Sequence, residues 1–411
     1  MIEYANDKQK EAIKAIEAGE NVFISGPGGV GKSWLIKHVT DNNTVLCAPT
    51  GIAALNIGGI TCHKAFGLPL GIPTAADHYK PAPDVFKGNT VKRIIIDEIS
   101  MVRADYLDLI DQKLRNTRKN NKPFGGIQVV VVGDFFQLEP IVKNSESHYF
   151  FSEYDTAFAF GAKCWDFRMV ELTDIIRQSN EQDARILNSL RQKDGKWERA
   201  LRFVHKLAQP YDQDEDILHL CCYKQDAEVI NTQHFNKISG QVKTYNAYQT
   251  GRWGNEAPVE PTIHLKQGAK VLICANDPEG NYVNGDRGVV TGMGKESVKV
   301  LKDDGNEVFV SRFSWEKYKY TKTNNGLAKE PVAMFRQMPI RLGWAITIHK
   351  SQSLSLDNLA LEIGRGCFGH GQLYVALSRI RDLSKVRLVR PIGYSNAIVH
   401  EDVREWYGQT I

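Results

Sequence analysis

The chain has 411 residues, of which 42% are hydrophobic and 24% charged, and its formal net charge is +4. This length exceeds one ordinary domain, so we expect two or three, each with its own core. The charge is too small to indicate a nucleic-acid binder, since tail-driven binders are far more basic, and it leaves room for a local basic track. The 7 cysteines form no CxxC pair, and no run approaches the roughly 18 apolar residues of a membrane span. We therefore expect reduced thiols, no membrane contact and a cytoplasmic protein without a targeting signal.

Short apolar runs alternate with helical patterns through about the first two hundred residues. Runs rich in Val and Ile predict buried strands over 21–25, 44–48, 93–97, 128–134 and 168–173. The segments 32–39 and 103–119 predict helices, and the second places Leu107, Ile110 and Leu114 on one face. This alternation predicts a doubly wound α/β domain with a parallel sheet.

The rest of the chain predicts two interruptions and a second domain. Residues 67–90 are rich in Pro and Gly and predict an insertion, partly loop and partly short strand. A second α/β pattern begins near 217–223, and short runs with Asn-Gly and Asp-Gly turns over 240–335 predict a small antiparallel barrel. The α/β pattern then resumes and ends with a strand at 385–390 and a short helix. We predict two domains, 1–175 and 176–411, each carrying one insertion.

The sequence GPGGVGKS at 26–33 follows a predicted strand and opens a predicted helix. It matches a phosphate-binding loop, whose glycines let backbone N–H groups turn toward phosphate oxygens. A chance glycine-rich turn is the alternative. Lys32 is expected to reach the β- and γ-phosphates, and Ser33 to hold Mg²⁺. We therefore predict that ATP and Mg²⁺ bind here, with contacts from Gly26, Pro27, Gly28, Gly29, Val30, Gly31, Lys32 and Ser33.

Four further polar side chains fit a nucleotide site. Asp97 ends an apolar strand and is expected to meet Mg²⁺ opposite Ser33, with Glu98 orienting or deprotonating the attacking water. Gln137, in GDFFQLEP, is predicted to sense the γ-phosphate; a surface amide is the alternative. Gln9, on the first helix, is predicted to contact the adenine edge, although a helix-surface glutamine usually has no such role.

The motifs in order resemble a known family, the petite-integration-frequency (PIF-type) helicases of the 5′-to-3′ branch of superfamily 1. The matching segments are GPGGVGKS, APTGIAA, IIIDEISM, PFGGIQVVVVGDFFQLEP, ELTDIIRQ, AITIHKSQS and YVALSR. The run DQKLRNTRKNNKPFGGIQ (111–128) is similar to the signature segment of that family. The resemblance spans about residues 6 to 390.

The resemblance implies two RecA-like doubly wound domains of the P-loop NTPase class. It also implies a small insertion in the first domain and a Src-homology-3-like β-barrel insertion in the second, which agrees with the breaks at 67–90 and 240–335. Because the phosphate loop occurs in the first domain, one ATP is expected per motor. Arg177 and Arg379 would reach the γ-phosphate from the second domain, where a guanidinium stabilises transition-state charge. A surface salt bridge is the alternative for each.

The resemblance also implies contacts to single-stranded DNA. His63 and His349 are equally readable as core histidines, and Phe66, which would stack on a base, as a core aromatic. For the basic and aromatic run 311–323, a barrel strand with core aromatics is favoured over a DNA track. The implied contacts are Thr50, Thr61, His63, Phe66, Thr347, His349 and Lys350.

The function implied is an ATP-dependent 5′-to-3′ DNA helicase that translocates on single-stranded DNA and unwinds duplexes, forks or G-quadruplexes. A monomer is expected, in the cytoplasm or nucleoid of a bacterium or phage-infected cell. Long terminal extensions found in larger family members are not seen, so no organelle address is expected. Two alternatives stay open: a P-loop ATPase that remodels a protein or another non-DNA substrate, and a nucleic-acid-binding module with a degenerate ATP site.

Overall fold

The computed structural model describes residues 5–69, 71–174, 181–213, 215–253, 257–323, 326–352 and 354–410. Contacts divide the chain into two units. Unit 1 takes the described residues within 1–177, 317–332 and 401–411, and unit 2 takes those within 178–316 and 333–400. This division differs from the predicted domains 1–175 and 176–411, because two later segments of the chain belong to unit 1.

Unit 1 contains a six-stranded parallel sheet. Its strands are β1 (Val22–Ser25), β2 (Thr44–Ala48), β3 (Ile60–Thr61), β4 (Arg93–Ile96), β5 (Gln128–Gly133) and β6 (Arg168–Glu171). They lie in the order β3-β2-β4-β5-β1-β6. The side chains of β1, β2 and most of β4 and β5 are buried, as expected for a parallel sheet covered on both faces. The five predicted strands are thus confirmed; the two-residue β3 is additional.

The helices of unit 1 include both that the sequence pattern predicted. The helix at 32–39 is α2, and the helix predicted at 103–119 is α6, which buries its Leu107–Ile110–Leu114 face. The described residues of the insertion at 67–90 form a short helix and one 3₁₀ turn rather than the short strand expected. The helices are α1 (Asp7–Glu17), α2 (Lys32–Val39), α3 (Gly51–Asn56), α4 (Cys62–Phe66), α5 (Ala75–Tyr79), α6 (Ala104–Arg118) and α7 (Asn144–Glu153).

Unit 2 begins with two helices, α8 (Glu181–Gln192) and α9 (Trp197–Leu207), and contains a five-stranded parallel sheet. The helices that follow are α10 (Lys224–Lys237) and α11 (Gln372–Leu377). The sheet strands are β7 (Gln209–Pro210), β8 (His219–Cys221), β19 (Ala345–Thr347), β20 (Leu359–Glu362) and β21 (Val386–Leu388), in the order β19-β8-β20-β21-β7. The predicted return to α/β structure after the second insertion is confirmed.

Between β8 and β19 the chain forms antiparallel strands, as the turn-rich pattern predicted. Five of them form one sheet in the order β15-β14-β13-β12-β18, and closure of these strands into a barrel stays a prediction. The strands are β9 (Lys243–Asn246), β10 (Tyr248–Thr250), β11 (Thr262–Leu265), β12 (Lys270–Ile273), β13 (Arg287–Met293), β14 (Ser297–Lys302), β15 (Glu307–Ser311), β16 (Phe313–Thr323), β17 (Gly326–Gln337) and β18 (Ile340–Leu342).

Two segments from late in the chain pack within unit 1. One is the far part of β16 and β17, where the Leu46 N–H donates to the Tyr320 hydroxyl at 3.0 Å. The other is the helix α12 (Glu401–Thr410). Trp315 and Tyr320 of the basic and aromatic run are buried, which supports the core-aromatic interpretation of that run. None of the helices in the described ranges is long and apolar enough to cross a membrane.

Candidate functional site

The candidate nucleotide residues lie together at the carboxyl-terminal ends of the strands in the parallel sheet of unit 1. The phosphate loop follows β1, Asp97 follows β4 and Gln137 follows β5. In the sheet these three strands are neighbours in the order β4-β5-β1, and all run parallel. Their carboxyl ends therefore lie side by side, where open α/β sheets bind ligands. The sequence prediction placed these motifs correctly relative to their strands.

The phosphate loop depends on glycine at its turns. Gly26, Gly29 and Gly31 have φ values of 149°, 90° and 89°, a region that other residues rarely adopt. Gly31 caps α2, so the loop opens directly into the first turn of that helix. The Lys32 ammonium donates to the carbonyls of Gly26 and Pro27 at 2.7 and 2.9 Å. The ammonium of Lys32 thus lies against the phosphate loop, where its charge would stabilise bound phosphate.

Asp97 and Glu98 form an acidic pair at the end of β4. The Glu98 N–H donates to Asp97 Oδ1 at 2.9 Å. Burial, and next the Glu98 carboxylate, raise the pKa of Asp97 to about 7, while the Glu98 N–H and the Lys32 ammonium act in the opposite direction. Glu98 has φ 51° and ψ 47°, an uncommon backbone conformation for a residue other than glycine. A cation at this pair would relieve the repulsion between the carboxylates.

Gln137 is held by a buried aspartate after β5. Asp134, at 0% exposure, accepts hydrogen bonds from the Phe136 N–H at 3.2 Å and from Gln137 Nε2 at 3.4 Å. The Gln137 N–H also donates to the Asp134 carbonyl at 2.9 Å. Gln137 is buried, so the alternative of a solvated surface amide is wrong.

Gln9 contacts the phosphate loop. Its Oε1 accepts from the Asn6 N–H at 3.1 Å, which completes a capping box at the start of α1. Its Nε2 donates to the Val30 carbonyl at 3.4 Å. The structure therefore gives Gln9 a role in attaching α1 to the loop, and the predicted adenine contact stays a prediction.

The two predicted arginines have different outcomes. Arg379 lies in unit 2, just after α11, and is buried; its guanidinium donates to the Val375 carbonyl at 2.9 Å and to Ser378 Oγ at 2.8 Å. Because it is buried, it is not the exposed surface ion pair that was the alternative. Arg177 lies outside the described residues.

The DNA candidates of unit 1 divide between helix caps and core. Thr50 and Thr61 cap α3 and α4, accepting from the N–H groups of the third residue beyond each. A capping hydroxyl still has its own proton to donate. The His63 ring meets Tyr106 edge-on at 5.0 Å. Phe66 is at 0% exposure and stacks on Phe86 at 5.4 Å, so the core alternative accounts for it and we exclude it from the proposed DNA contacts.

The DNA candidates of unit 2 lie at the end of the edge strand β19 and in the turn that follows it. Thr347 ends this strand, and its hydroxyl accepts from the Lys350 N–H at 3.3 Å. His349 is exposed, and its ring stacks on Phe368 at 6.4 Å. Lys350 is exposed too, with its ammonium 3.7 Å from Glu260. His349 is therefore not a core histidine, and all three side chains lie in one turn of chain.

Two parallel sheets, with a phosphate loop and an acidic strand end at one edge of the first, define an α/β protein of RecA-like fold with a P-loop. A model of the PIF1-like helicase family matches residues 4–197. The ATP-dependent DNA helicase Pif1 of Bdellovibrio bacteriovorus is 31% identical over 422 residues, covering 98% of this chain and 91% of that protein. The chain belongs to the PIF1-like helicase family, which confirms the resemblance seen in the motifs.

Further relatives agree in family and fold. The ATP-dependent DNA helicase PIF1 of Mus musculus is 32% identical, covering 93% of this chain but 60% of the mouse protein. The chain thus spans about 60% of the length of that relative. Bacteroides Pif1 in complex with ADP-AlF4 has a TM-score of 0.87 at 33% identity, covering 98% of this chain and 96% of that one. Its complex with ADP-AlF3 and ssDNA has a TM-score of 0.70 at 33% identity and the same coverage.

Asp134, Ser25 and Tyr407 were not among the residues predicted from the sequence. Asp134 follows the predicted strand as part of a Gly-Asp pair, and that position was a usable signal. Ser25, at the end of β1, and Tyr407, on α12, share a hydrogen bond between their hydroxyl groups. They are 382 positions apart, and no local pattern connects residues at such a separation.

Proposed function

We propose that this chain is an ATP-dependent DNA helicase that hydrolyses ATP at the phosphate loop of unit 1 and moves along single-stranded DNA. The observation that supports this most is the alignment of the phosphate loop, Asp97 and Gln137 at one sheet edge, in a chain of a helicase family. The related Bacteroides protein was crystallised with ADP-AlF3 and ssDNA, the two kinds of ligand proposed here.

Within this proposal, Ser33 and Asp97 hold Mg²⁺. The fit rests on the donors, the exposed hydroxyl of Ser33 and the Asp97 carboxyl beside Glu98, because hard oxygen donors suit this ion. When bound, magnesium supplies positive charge to the phosphate oxygens. Lys32 binds the β- and γ-phosphates, and Glu98 orients or deprotonates the attacking water. Gln137, fixed by Asp134, senses the γ-phosphate.

The remaining roles rest on the family resemblance. Arg379 and Arg177 stabilise charge on the γ-phosphate in the transition state. Forked duplexes and G-quadruplexes are the proposed substrates, and a monomer is the proposed state in solution. The proposed DNA contacts are three hydroxyl groups, two imidazoles and one ammonium, all of which bind phosphate. They are Thr50, Thr61, His63, Thr347, His349 and Lys350.

The test compares Lys32→Ala with wild type in ATPase and DNA-binding assays. Wild-type turnover should rise on adding single-stranded DNA. Lys32→Ala should lose hydrolysis by about a hundredfold or more, because a charge that stabilises the transition state is removed. Its affinity for single-stranded DNA should stay within a few-fold of wild type, since the proposed DNA contacts lie elsewhere.

Lys37→Ala is the matched control, because Lys37 is an exposed lysine on the same helix α2. It should behave as wild type in both assays. Wild-type turnover that ignores single-stranded DNA would contradict the DNA motor and favour an ATPase acting on another substrate. Loss of DNA binding in Lys32→Ala without nucleotide would contradict the separation of the two sites.

A further inference from the structure

Two aromatic side chains of the helix α12, Trp406 and Tyr407, pack against the strands and loops that carry the nucleotide motifs. The Trp406 ring stacks on Phe160, with centroids 4.9 Å apart and an interplanar angle of 13°. It also meets Phe135 at 5.6 Å and Phe23 at 6.0 Å. Phe23 belongs to β1, and Phe135 follows β5. Aromatic contacts of this kind hold α12 against the two strands that lead into the site.

Tyr407 contacts the residue that precedes the phosphate loop. Its hydroxyl shares a hydrogen bond with Ser25 Oγ, and Ser25, at 0% exposure, is the last residue of β1. On the other side, the Leu172 N–H donates to the Ser25 carbonyl at 2.8 Å. A Cβ on Gly26 would lie 2.5 Å from the Leu172 carbonyl oxygen. The start of the loop is thus enclosed by the backbone of Leu172, the residue that follows β6, and by a side chain of α12.

The Tyr407 ring also contacts the loop that carries Gln137. Its centroid lies 4.6 Å from that of Phe136, at an interplanar angle of 42°. The Phe136 N–H donates to Asp134, the residue that also accepts from Gln137. One side chain therefore contacts both the residue that precedes the phosphate loop and the loop that carries Gln137, although neither contact involves a residue proposed to bind nucleotide.

We propose that Tyr407 is a positioning residue for ATP: its hydroxyl fixes Ser25, and so sets the position of the first glycine of the phosphate loop. This inference rests on the nucleotide site proposed above. The competing view is that Tyr407 is a core residue whose contacts stabilise the fold without affecting nucleotide binding.

The two views predict different kinetics. The loop N–H groups would bind phosphate in the ground state and in the transition state alike. A loop that is free to shift would bind the ground state and the transition state more weakly by the same amount. This raises KM and leaves kcat unchanged. If Tyr407 only stabilises the fold, its substitution should lower the unfolding temperature and leave KM and kcat of the folded enzyme unchanged.

The experiment uses Tyr407→Phe, which removes the hydroxyl and keeps the ring. Steady-state ATPase is measured at saturating single-stranded DNA, and ADP affinity with a fluorescent analogue. KM for ATP and Kd for ADP should each rise about fivefold or more, since a buried hydroxyl loses its partner, with kcat within about twofold of wild type. Ser25→Ala tests the same bond from the other side and should give the same split.

The control is Tyr154→Phe, which removes another hydroxyl of unit 1. The Tyr154 hydroxyl donates to Asp108 Oδ2 at 2.8 Å, at a position with no proposed part in nucleotide binding. This variant should lower the unfolding temperature and leave KM and Kd as in wild type. The double variant Ser25→Ala/Tyr407→Phe should show less than the product of the two single effects, because the two residues act through one bond.

Three results would overturn the inference. One is wild-type KM and Kd in a folded Tyr407→Phe or Ser25→Ala; another is an equal rise in KM in Tyr154→Phe; the third is single effects that simply multiply. Lys32→Ala separates this failure from failure of the site itself. If Lys32→Ala binds ADP as tightly as wild type, the nucleotide site is misplaced and the inference falls with it. If Lys32→Ala loses ADP and Tyr407→Phe keeps it, the positioning role alone is wrong.

Discussion

His219 is a buried histidine in β8, between β19 and β20. Its Nε2 lies 3.2 Å from the Tyr211 hydroxyl, and its Nδ1 has no hydrogen-bond partner among the described residues. Burial, with smaller contributions from His234 and Arg287, lowers the pKa of His219 to about 4. The folded protein therefore holds this ring neutral at a pH where the unfolded chain would protonate it.

Because the folded pKa lies below the unfolded value, stability is complete above about pH 6.5 and falls as the pH drops toward 4. Between pH 7 and pH 5 we expect wild type to lose about 1–2 kcal/mol through this group. His219→Gln should remove that part of the loss, measured as the difference in urea midpoints at the two pH values. His264→Gln, at an exposed histidine of the same unit, should keep the wild-type dependence. Equal losses in wild type and His219→Gln would show that His219 does not titrate as proposed.

The connection between α6 and β5 depends on a left-handed turn. Phe124 has φ 52° and its N–H donates to Asp111 Oδ1 at 2.5 Å, while Gly125 has φ 64°. A Cβ on Gly125 would lie 2.6 Å from the Leu114 carbonyl oxygen. The turn thus fits closely against α6, within the segment 111–128 that resembles the family signature.

Gly125→Ala should destabilise the protein for two reasons: a left-handed alanine costs about 1–2 kcal/mol, and the clash with α6 adds about 1–3 kcal/mol. Gly19→Ala is the matched control, since Gly19 has φ 84° and a Cβ there meets nothing within 4 Å. Gly19→Ala should lose only the free energy that a left-handed alanine costs, with no added clash. Urea unfolding of both variants checks this, and equal free energies of unfolding would mean that the close approach to α6 is not a constraint.

Elements were predictable where a local period sets them. The strand β5 and the helix α2 lie where apolar runs and the glycine-rich loop placed them, because side-chain period follows from local geometry. The assignment of late segments to unit 1 was not predictable. A pattern such as that of α12 shows which face is apolar and leaves open which unit it packs on. The insertion at 67–90 was recognised by its Pro and Gly content, which indicates a break and does not distinguish strand from helix.

The candidate site was predictable to the extent that motifs come directly after strands. The phosphate loop, Asp97 and Gln137 each follow an apolar run, so a parallel sheet brings them together. Contacts made across the chain were not predictable. The sequence left Phe66 open between a DNA contact and the core, and only the structure shows that its ring packs on Phe86, because burial depends on which residues the fold places above it. Tyr407 was missed for the same reason.

The direction of movement belongs to the whole molecule, since no single motif carries it. Its support is the sequence resemblance to the 5′-to-3′ branch over about residues 6 to 390, which includes segments of both units. Because the proposed DNA contacts are contacts to single-stranded DNA, loading should require a single-stranded tail that reaches them. Duplexes with a 5′ tail should therefore be unwound in the presence of ATP, whereas duplexes with a 3′ tail or blunt ends should not. Strand separation followed by fluorescence checks this, with Lys32→Ala as the variant that binds the tail and does not unwind. Efficient unwinding from a 3′ tail would contradict the assignment to this branch, even if ATP hydrolysis at the phosphate loop were intact.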